Sequence, residues 1–126
     1  NKKNGNKLWS RDITTTQTPL VNGNSIFLVN KNKEVICLNI LDGGSRWVMA
    51  IDKELSDNNR YIWLPPVLIN SELLLVGGYK KLISIDPFSG VITRKKNLSN
   101  FPASSPIIVN KKIYLMLRNG DIIQIE

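Results

Sequence analysis

Two stretches of the chain share one pattern, TPLVNGNSIFLVNKNKEVICLNILDGGSRW at residues 18–47 and PPVLINSELLLVGGYKKLISIDPFSGVITR at residues 65–94. A shorter third stretch, SPIIVNKKIYLMLRNGDIIQIE at residues 105–126, repeats their first part. The anchoring prolines are Pro19, Pro66 and Pro106, which stand 47 and 40 residues apart. A period of this length predicts an array of similar structural units that stack on one another.

Each unit contains short apolar runs rich in Ile, Val, Leu and Tyr, bounded by Asn, Gly, Lys and Ser. Such runs predict β-strands, and no capped segment with a 3.6-residue period predicts a significant helix. The predicted strands cover residues 8–13, 19–21, 25–29, 34–39, 46–51, 67–69, 72–76, 82–86, 91–98, 107–109, 113–117 and 121–125. Four short strands in a unit of 40–47 residues are typical of a β-propeller blade, so the predicted fold class is all-β.

Turn residues separate these strands at matching positions of the units. The Asn-Gly pairs at residues 22–23 and 119–120 predict hairpins with type I′ turns, whose two central residues both need a positive φ. The pair at residues 77–78 is Gly-Gly and is expected to act in a similar way. Further turns are expected at residues 70–71 and 110–111.

A second motif links an acidic or amide residue, a glycine and a large side chain at intervals of four residues. It reads Asn39, Gly43, Trp47 in the first full unit and Asp86, Gly90, Arg94 in the next, while Gly5 and Trp9 keep the last interval. Glycine suits the tight turn between the third and fourth strands. The tryptophan is expected to cover the joint between neighbouring blades with its large apolar face.

These motifs together resemble the PQQ-like propeller repeat. Residues 61–92 and 104–126 look like the last blades of the BamB family of outer-membrane assembly lipoproteins, and the resemblance extends from Gly5 to Glu126. It implies a non-catalytic scaffold with the β-barrel assembly complex as partner. It also implies a peripheral position on the periplasmic face of the outer membrane. Arg94 departs from the motif, because tryptophan is expected there.

The repeat count predicts one partial propeller of about three blades over residues 1–126. Residues 1–17 would supply the last strand of a preceding blade and a connector, and residues 18–64 a blade with a polar surface loop insertion at 52–62. Residues 65–104 would form the next blade and residues 105–126 an incomplete closing blade. Because propellers close with at least four blades, the chain is expected either to be the C-terminal part of a larger propeller or to close by oligomerisation.

Composition excludes several chemistries. The chain has no histidine and one cysteine, Cys37, so it lacks the base of a Ser-His-Asp centre and the ligands of a zinc site. Cys37 lies in an apolar run and is predicted to be a buried packing residue. Three of the carboxylates, Asp52, Glu54 and Asp57, are close in sequence but lack the spacing of a calcium loop. We expect no catalytic, cofactor or metal site, although quinoprotein dehydrogenases share the repeat and remain an alternative.

The formal net charge of +7 comes from basic residues dispersed in turn-like settings. It is therefore expected to mark a solvated surface, with no nucleic acid as partner and polyanion binding as a weaker alternative. Residues 1–9 have no apolar segment that would make a signal peptide, so the protein either stays inside the cell or begins further upstream. A further alternative is a truncated repeat protein without independent function.

Overall fold

The computed structural model describes residues 9–11, 13, 18–55 and 61–125, which form three antiparallel sheets. Strands that are consecutive in sequence are neighbours in each sheet, so every sheet is a simple meander. One helix of four residues accompanies them in this part of the chain. The predicted all-β fold class is thus confirmed.

The first sheet contains β1 Leu20–Asn22, β2 Ser25–Val29, β3 Glu34–Asn39 and β4 Ser45–Ala50. Helix α1 Ile51–Glu54 follows it. The second sheet contains β5 Val67–Ile69, β6 Glu72–Gly77, β7 Lys81–Ile85 and β8 Ile92–Asn97. The third sheet contains β9 Ile107–Val109, β10 Lys112–Met116 and β11 Ile122–Ile125. These eleven strands match eleven of the twelve predicted ones with small differences at their ends.

Two segments differ from their predictions. The strand predicted over residues 8–13 is wrong at Trp9, Ser10, Arg11 and Ile13, which belong to no hydrogen-bonded strand among the described residues. Residues 8 and 12 lie outside the described residues. A strand needs a hydrogen-bonded neighbour, and no described residue pairs its backbone with this segment. The surface loop predicted over residues 52–62 begins inside helix α1. In this helix Ile51 is buried, and the polar residues that follow it are more exposed.

The turns also correct the sequence interpretation. The β1–β2 turn places Gly23 and Asn24 between paired Asn22 and Ser25, and only Gly23 has a positive φ, of 59°. This suits a type II′ turn, which needs glycine first, rather than the predicted type I′ turn. At residues 119–120, likewise, only Gly120 has a positive φ.

Type I′ geometry occurs at two turns that lack glycine. Asn70 and Ser71 have φ values of 53° and 63°, and Asn110 and Lys111 have values of 52° and 67°. The residues that flank each pair are directly opposite each other in the two strands, Ile69 with Glu72 and Val109 with Lys112. Asparagine tolerates the left-handed region better than most residues, so these two turns keep the tight two-residue connection.

The sheets pack face to face because side chains alternate along each strand. On β6, Leu73 and Leu75 point toward the first sheet, whereas Leu74 and Val76 point toward the third, and all four are fully buried. We call the two contacts the first and second junctions. The first junction buries Phe27, Val29, Val35, Cys37, Met49, Ile51, Trp63, Leu73, Leu75, Ile83 and Ile85. The second junction buries Ile69, Leu74, Val76, Leu82, Leu98, Ile113, Leu115, Leu117 and Ile125.

Proline residues mark the start of the first strand in each sheet. Pro19, Pro66 and Pro106 stand directly before β1, β5 and β9. Before the last two, the chain makes a separate β-bridge, Trp63 with Gly77 and Pro102 with Leu117. Proline has no N–H to donate to a strand ladder. Pro19, Pro66 and Pro106 accordingly lie just outside the paired strands.

Candidate interaction surface

The motif residue Trp47 contacts the next sheet at the turn before β8. Its Nε1 donates a hydrogen bond to the carbonyl oxygen of Pro87 at 2.8 Å. Its ring lies on Gly90, where a Cβ atom would stand 2.5 Å from ring carbons. Gly90 also has a φ of 79°, so both the space and the backbone conformation require glycine.

The same contact occurs one repeat earlier. Trp9 Nε1 donates to the carbonyl oxygen of Ile40 at 2.8 Å, and its ring lies on Gly43, which has a φ of 75°. Although residues 9–11 form no strand, Trp9 therefore holds the position relative to the first sheet that Trp47 holds relative to the second. Gly5, the glycine of the earliest motif, lies outside the described residues.

Asp86 and Asn39 shape the turns on which these rings lie. The Oδ1 atom of Asp86 accepts a hydrogen bond from the N–H of Phe88 at 2.9 Å, and Gly90 N–H donates to the Asp86 carbonyl at 2.8 Å. Asn39 Oδ1 accepts from Leu41 N–H at 2.9 Å in the same way. Trp9, Gly43, Trp47, Asp86 and Gly90 thus contact other residues of the scaffold.

Arg94 occupies the position in the second sheet that Trp47 occupies in the first. Its Nη2 donates to Glu72 Oε1 at 2.9 Å, and buried Ser84 donates its hydroxyl to the same oxygen at 3.0 Å. Both charged side chains are about two-fifths exposed. Arg94 therefore forms an ion pair within its own sheet.

A different group of residues forms a concave, exposed site in the described structure. The rings of Tyr61, Tyr79 and Phe101 lie within 5.1–5.5 Å of one another, and Tyr79 meets Phe101 edge to face at 90°. Such distances and angles are favourable for aromatic pairs. Tyr61 is 41% and Tyr79 is 49% exposed, so solvent reaches the cluster.

Two basic side chains flank these rings. Lys80 Nζ lies 5.2 Å from the ring centre of Tyr79 and 5.4 Å from that of Phe101. Arg118 Cζ lies 5.6 Å from the ring centre of Phe101. We call these five residues the aromatic corner. A cavity of about 240 Å³ opens beside it, with Ile62, Leu64, Gly78 and Pro102 completing its walls.

The sequence interpretation did not identify the aromatic corner. Its members come from four separate loops and show no common motif as a set. One signal was present, because Tyr61 and Phe101 each stand five residues before an anchoring proline, Pro66 or Pro106. The repeat therefore places both rings at the same position of successive units.

Cys37 and Asp52 interact with neighbouring side chains of the scaffold. Cys37 is fully buried, as predicted, and desolvation raises the pKa of its thiol, partly offset by a hydrogen bond from Ser25 and the charge of Arg46. Asp52 forms an ion pair with Lys33 at 3.4 Å. Over the described ranges, no three acidic, histidine or cysteine side chains converge in a way that could hold a metal ion. None of the helices there has the length and apolar character that a membrane crossing needs.

Comparison with known sequences points to one family. A family model described as "Outer membrane protein assembly factor BamB" matches residues 1–49. BamB of Escherichia coli strain K12 is 26% identical over 125 residues, which is 98% of this chain, and BamB of Salmonella typhimurium is 26% identical over 122 residues. The chain spans about 30% of the length of these curated relatives.

Solved structures show the same fold. BamB from Moraxella catarrhalis superimposes with a TM-score of 0.74 at 13% identity, over 94% of this chain and 34% of that one. A quinohemoprotein alcohol dehydrogenase from Comamonas testosteroni gives a TM-score of 0.58 at 16% identity, over 83% of this chain and 17% of that one. Together with the stacked antiparallel sheets, these matches show that the chain is similar in sequence and in fold to the outer membrane protein assembly factor BamB.

Proposed function

We propose that this chain is a non-catalytic interaction segment of a BamB-like propeller that serves β-barrel assembly at the periplasmic face of the outer membrane. The observation that carries this proposal is the match to BamB sequences over 98% of the chain. The similarity of fold to a BamB structure supports it. The partner would be the barrel-assembly complex, which a scaffold of this kind contacts through its loops and rim.

The dehydrogenase alternative has weaker support. Two dehydrogenase structures share the fold at TM-scores of 0.58 and 0.54, but the match covers less than a fifth of each dehydrogenase chain. Fold similarity at 15–16% identity does not carry a function. The sheets present packing residues and turn glycines at the repeat motifs, and these are scaffold features.

A chimera tests the proposal. The matching segment of Escherichia coli BamB is replaced by this chain, and the chimera is expressed in cells that lack BamB. We expect it to restore growth on an antibiotic that an intact outer membrane excludes, and to co-purify with the barrel-assembly complex. A chimera carrying the corresponding segment of Yersinia pestis BamB, which is 25% identical to this chain, is the positive control.

The Gly90→Val variant of the chimera is the negative control, because the added side chain collides with Trp47 at the first junction. An exported and folded chimera that neither restores growth nor co-purifies with the complex would refute the proposal.

A further inference from the structure

The aromatic corner brings three rings together and leaves two of them substantially exposed. Tyr61 precedes β5, Tyr79 lies between β6 and β7, and Phe101 precedes β9, so three loops bring the rings together. Tyr61 and Tyr79 remain 41% and 49% exposed in this position. Exposed tyrosines that flank an apolar cavity are typical of the centre of a protein interface, where they supply large contact area at low entropic cost.

The cavity beside the aromatic corner is too small for most drug-sized ligands. Its volume is about 240 Å³, below the range of about 300–1,000 Å³ that is usual for pockets of drug-sized ligands. Its walls are mainly apolar, with Ile62, Leu64 and Pro102 facing the rings. A single large apolar or aromatic side chain of a protein partner fits such a site better than a whole cofactor.

The charges of the corner favour an acidic ligand. Lys80 and Arg118 already stand over the ring faces of Tyr79 and Phe101, so a further cation would meet repulsion there. Within the described ranges, the ion pairs are Lys33 with Asp52 and Arg94 with Glu72, and neither involves these two cations. A carboxylate could accept two hydrogen bonds from the Arg118 guanidinium.

Backbone hydrogen bonds hold the corner in place before any ligand binds. Gly78 N–H donates to the carbonyl oxygen of Ile62 at 3.0 Å, which fixes the loop of Tyr79 to the segment after Tyr61. Arg118 N–H donates to the carbonyl oxygen of Phe101 at 2.9 Å, which fixes the second cation beside its ring. A site that is ordered in advance loses less entropy when it binds.

From these observations we infer that the aromatic corner binds an acidic segment of a partner protein by taking up one of its aromatic side chains. The partner's ring enters the cavity against Phe101 and Tyr61, and a neighbouring carboxylate pairs with Arg118 or Lys80. The inference rests on the proposed function in one respect, because it assumes that the chain acts by binding proteins.

The test measures peptide binding by isothermal titration calorimetry with the complete 126-residue chain, after circular dichroism has shown that it is folded. The probe is the peptide Gly-Ser-Glu-Phe-Asp-Glu-Gly-Ser. Two matched peptides replace its Phe by Ser, or its three acidic residues by Lys. We expect the first peptide to bind and each matched peptide to lose about tenfold or more in affinity.

Variants locate the site. Tyr79→Ala and Arg118→Glu are each expected to reduce affinity about tenfold or more, whereas Tyr79→Phe, which keeps the ring, is expected to retain most of it. The matched controls are Phe88→Ala, at a ring that is 86% exposed on another turn, and Arg46→Glu, at an exposed arginine of the first sheet. Neither control should change the affinity, although each alters the same kind of residue.

Three results would overturn the inference: no binding of the acidic aromatic peptide, equal binding of all three peptides, or equal loss in the control variants. Binding to vesicles of anionic phospholipid in place of the peptide would overturn it as well. The result is separable from that of the chimera experiment. Peptide binding without complementation by the chimera would support the binding role of the aromatic corner and refute the assembly role. Complementation without peptide binding would support the assembly role and refute the binding role of the corner.

Discussion

The first and second junctions both bury apolar cores but differ in one contact of the repeat motif. Both are built mainly from buried aliphatic side chains, and the first also buries Phe27 and Trp63. At the first junction Trp47 also reaches across to Gly90 and hydrogen-bonds to Pro87. At the second junction the corresponding residue, Arg94, pairs with Glu72 of its own sheet. Trp47 thus connects two sheets, whereas the ion pair of Arg94 lies within one sheet.

The largest expected effect comes from closing the space below Trp47. Gly90→Ala should lower the free energy of unfolding by about 4 kcal/mol, because it combines overpacking with a strained left-handed backbone. The control is Gly120→Ala, where φ is 96° but no atom lies within 4 Å of the added Cβ, so only about 1–2 kcal/mol of strain is expected. Urea unfolding measures both, and equal losses would show that Trp47 does not restrict Gly90.

A cavity on either side of β6 compares the two cores directly. Leu74→Ala and Leu75→Ala remove the same atoms from neighbouring, fully buried residues that face opposite junctions. Each should lower the free energy of unfolding by about 3 kcal/mol. Urea titrations of the two variants give the values side by side. A loss below about 1 kcal/mol for Leu74→Ala alone would indicate that the second junction is loosely packed.

Replacing the tryptophan makes the first junction resemble the second. Trp47→Arg should lower the free energy of unfolding by about 2 kcal/mol, since the half-buried ring loses its contact with the next sheet. In a double-mutant cycle with Gly90→Ala, the second substitution should then cost less, because the collision is gone. Strict additivity of the two losses would contradict a direct contact in solution.

The smallest effect is expected at the ion pair of the second sheet. Arg94→Ala should lower the free energy of unfolding by about 0.5 kcal/mol, because both partners are about two-fifths exposed and water screens their charges. The loss should shrink further in high salt, which thermal unfolding in two salt concentrations would detect. A loss above about 2 kcal/mol would mean that Arg94 supports the second junction as strongly as Trp47 supports the first.

The repeat made most of the fold predictable. Alternating apolar residues and the period of 40–47 residues predicted eleven strands and their grouping, because both follow from local pattern. The types of the turns were harder to predict from the sequence. Asn-Gly at 22–23 indicated a type I′ turn, yet strand register moved the turn forward by one residue, to Gly23 and Asn24. Register depends on which faces are buried, and that is decided by the neighbouring sheet.

By itself, the sequence determined the strand pattern, the buried cysteine, the turn glycines and the resemblance to PQQ-like propellers. These properties reside in residues that are close together along the chain. The tertiary structure alone decided that Trp9 lies on Gly43 without forming a strand, and that Tyr61, Tyr79 and Phe101 form one corner with Lys80 and Arg118. Such contacts join different loops, and only the stacking of the sheets brings those loops together.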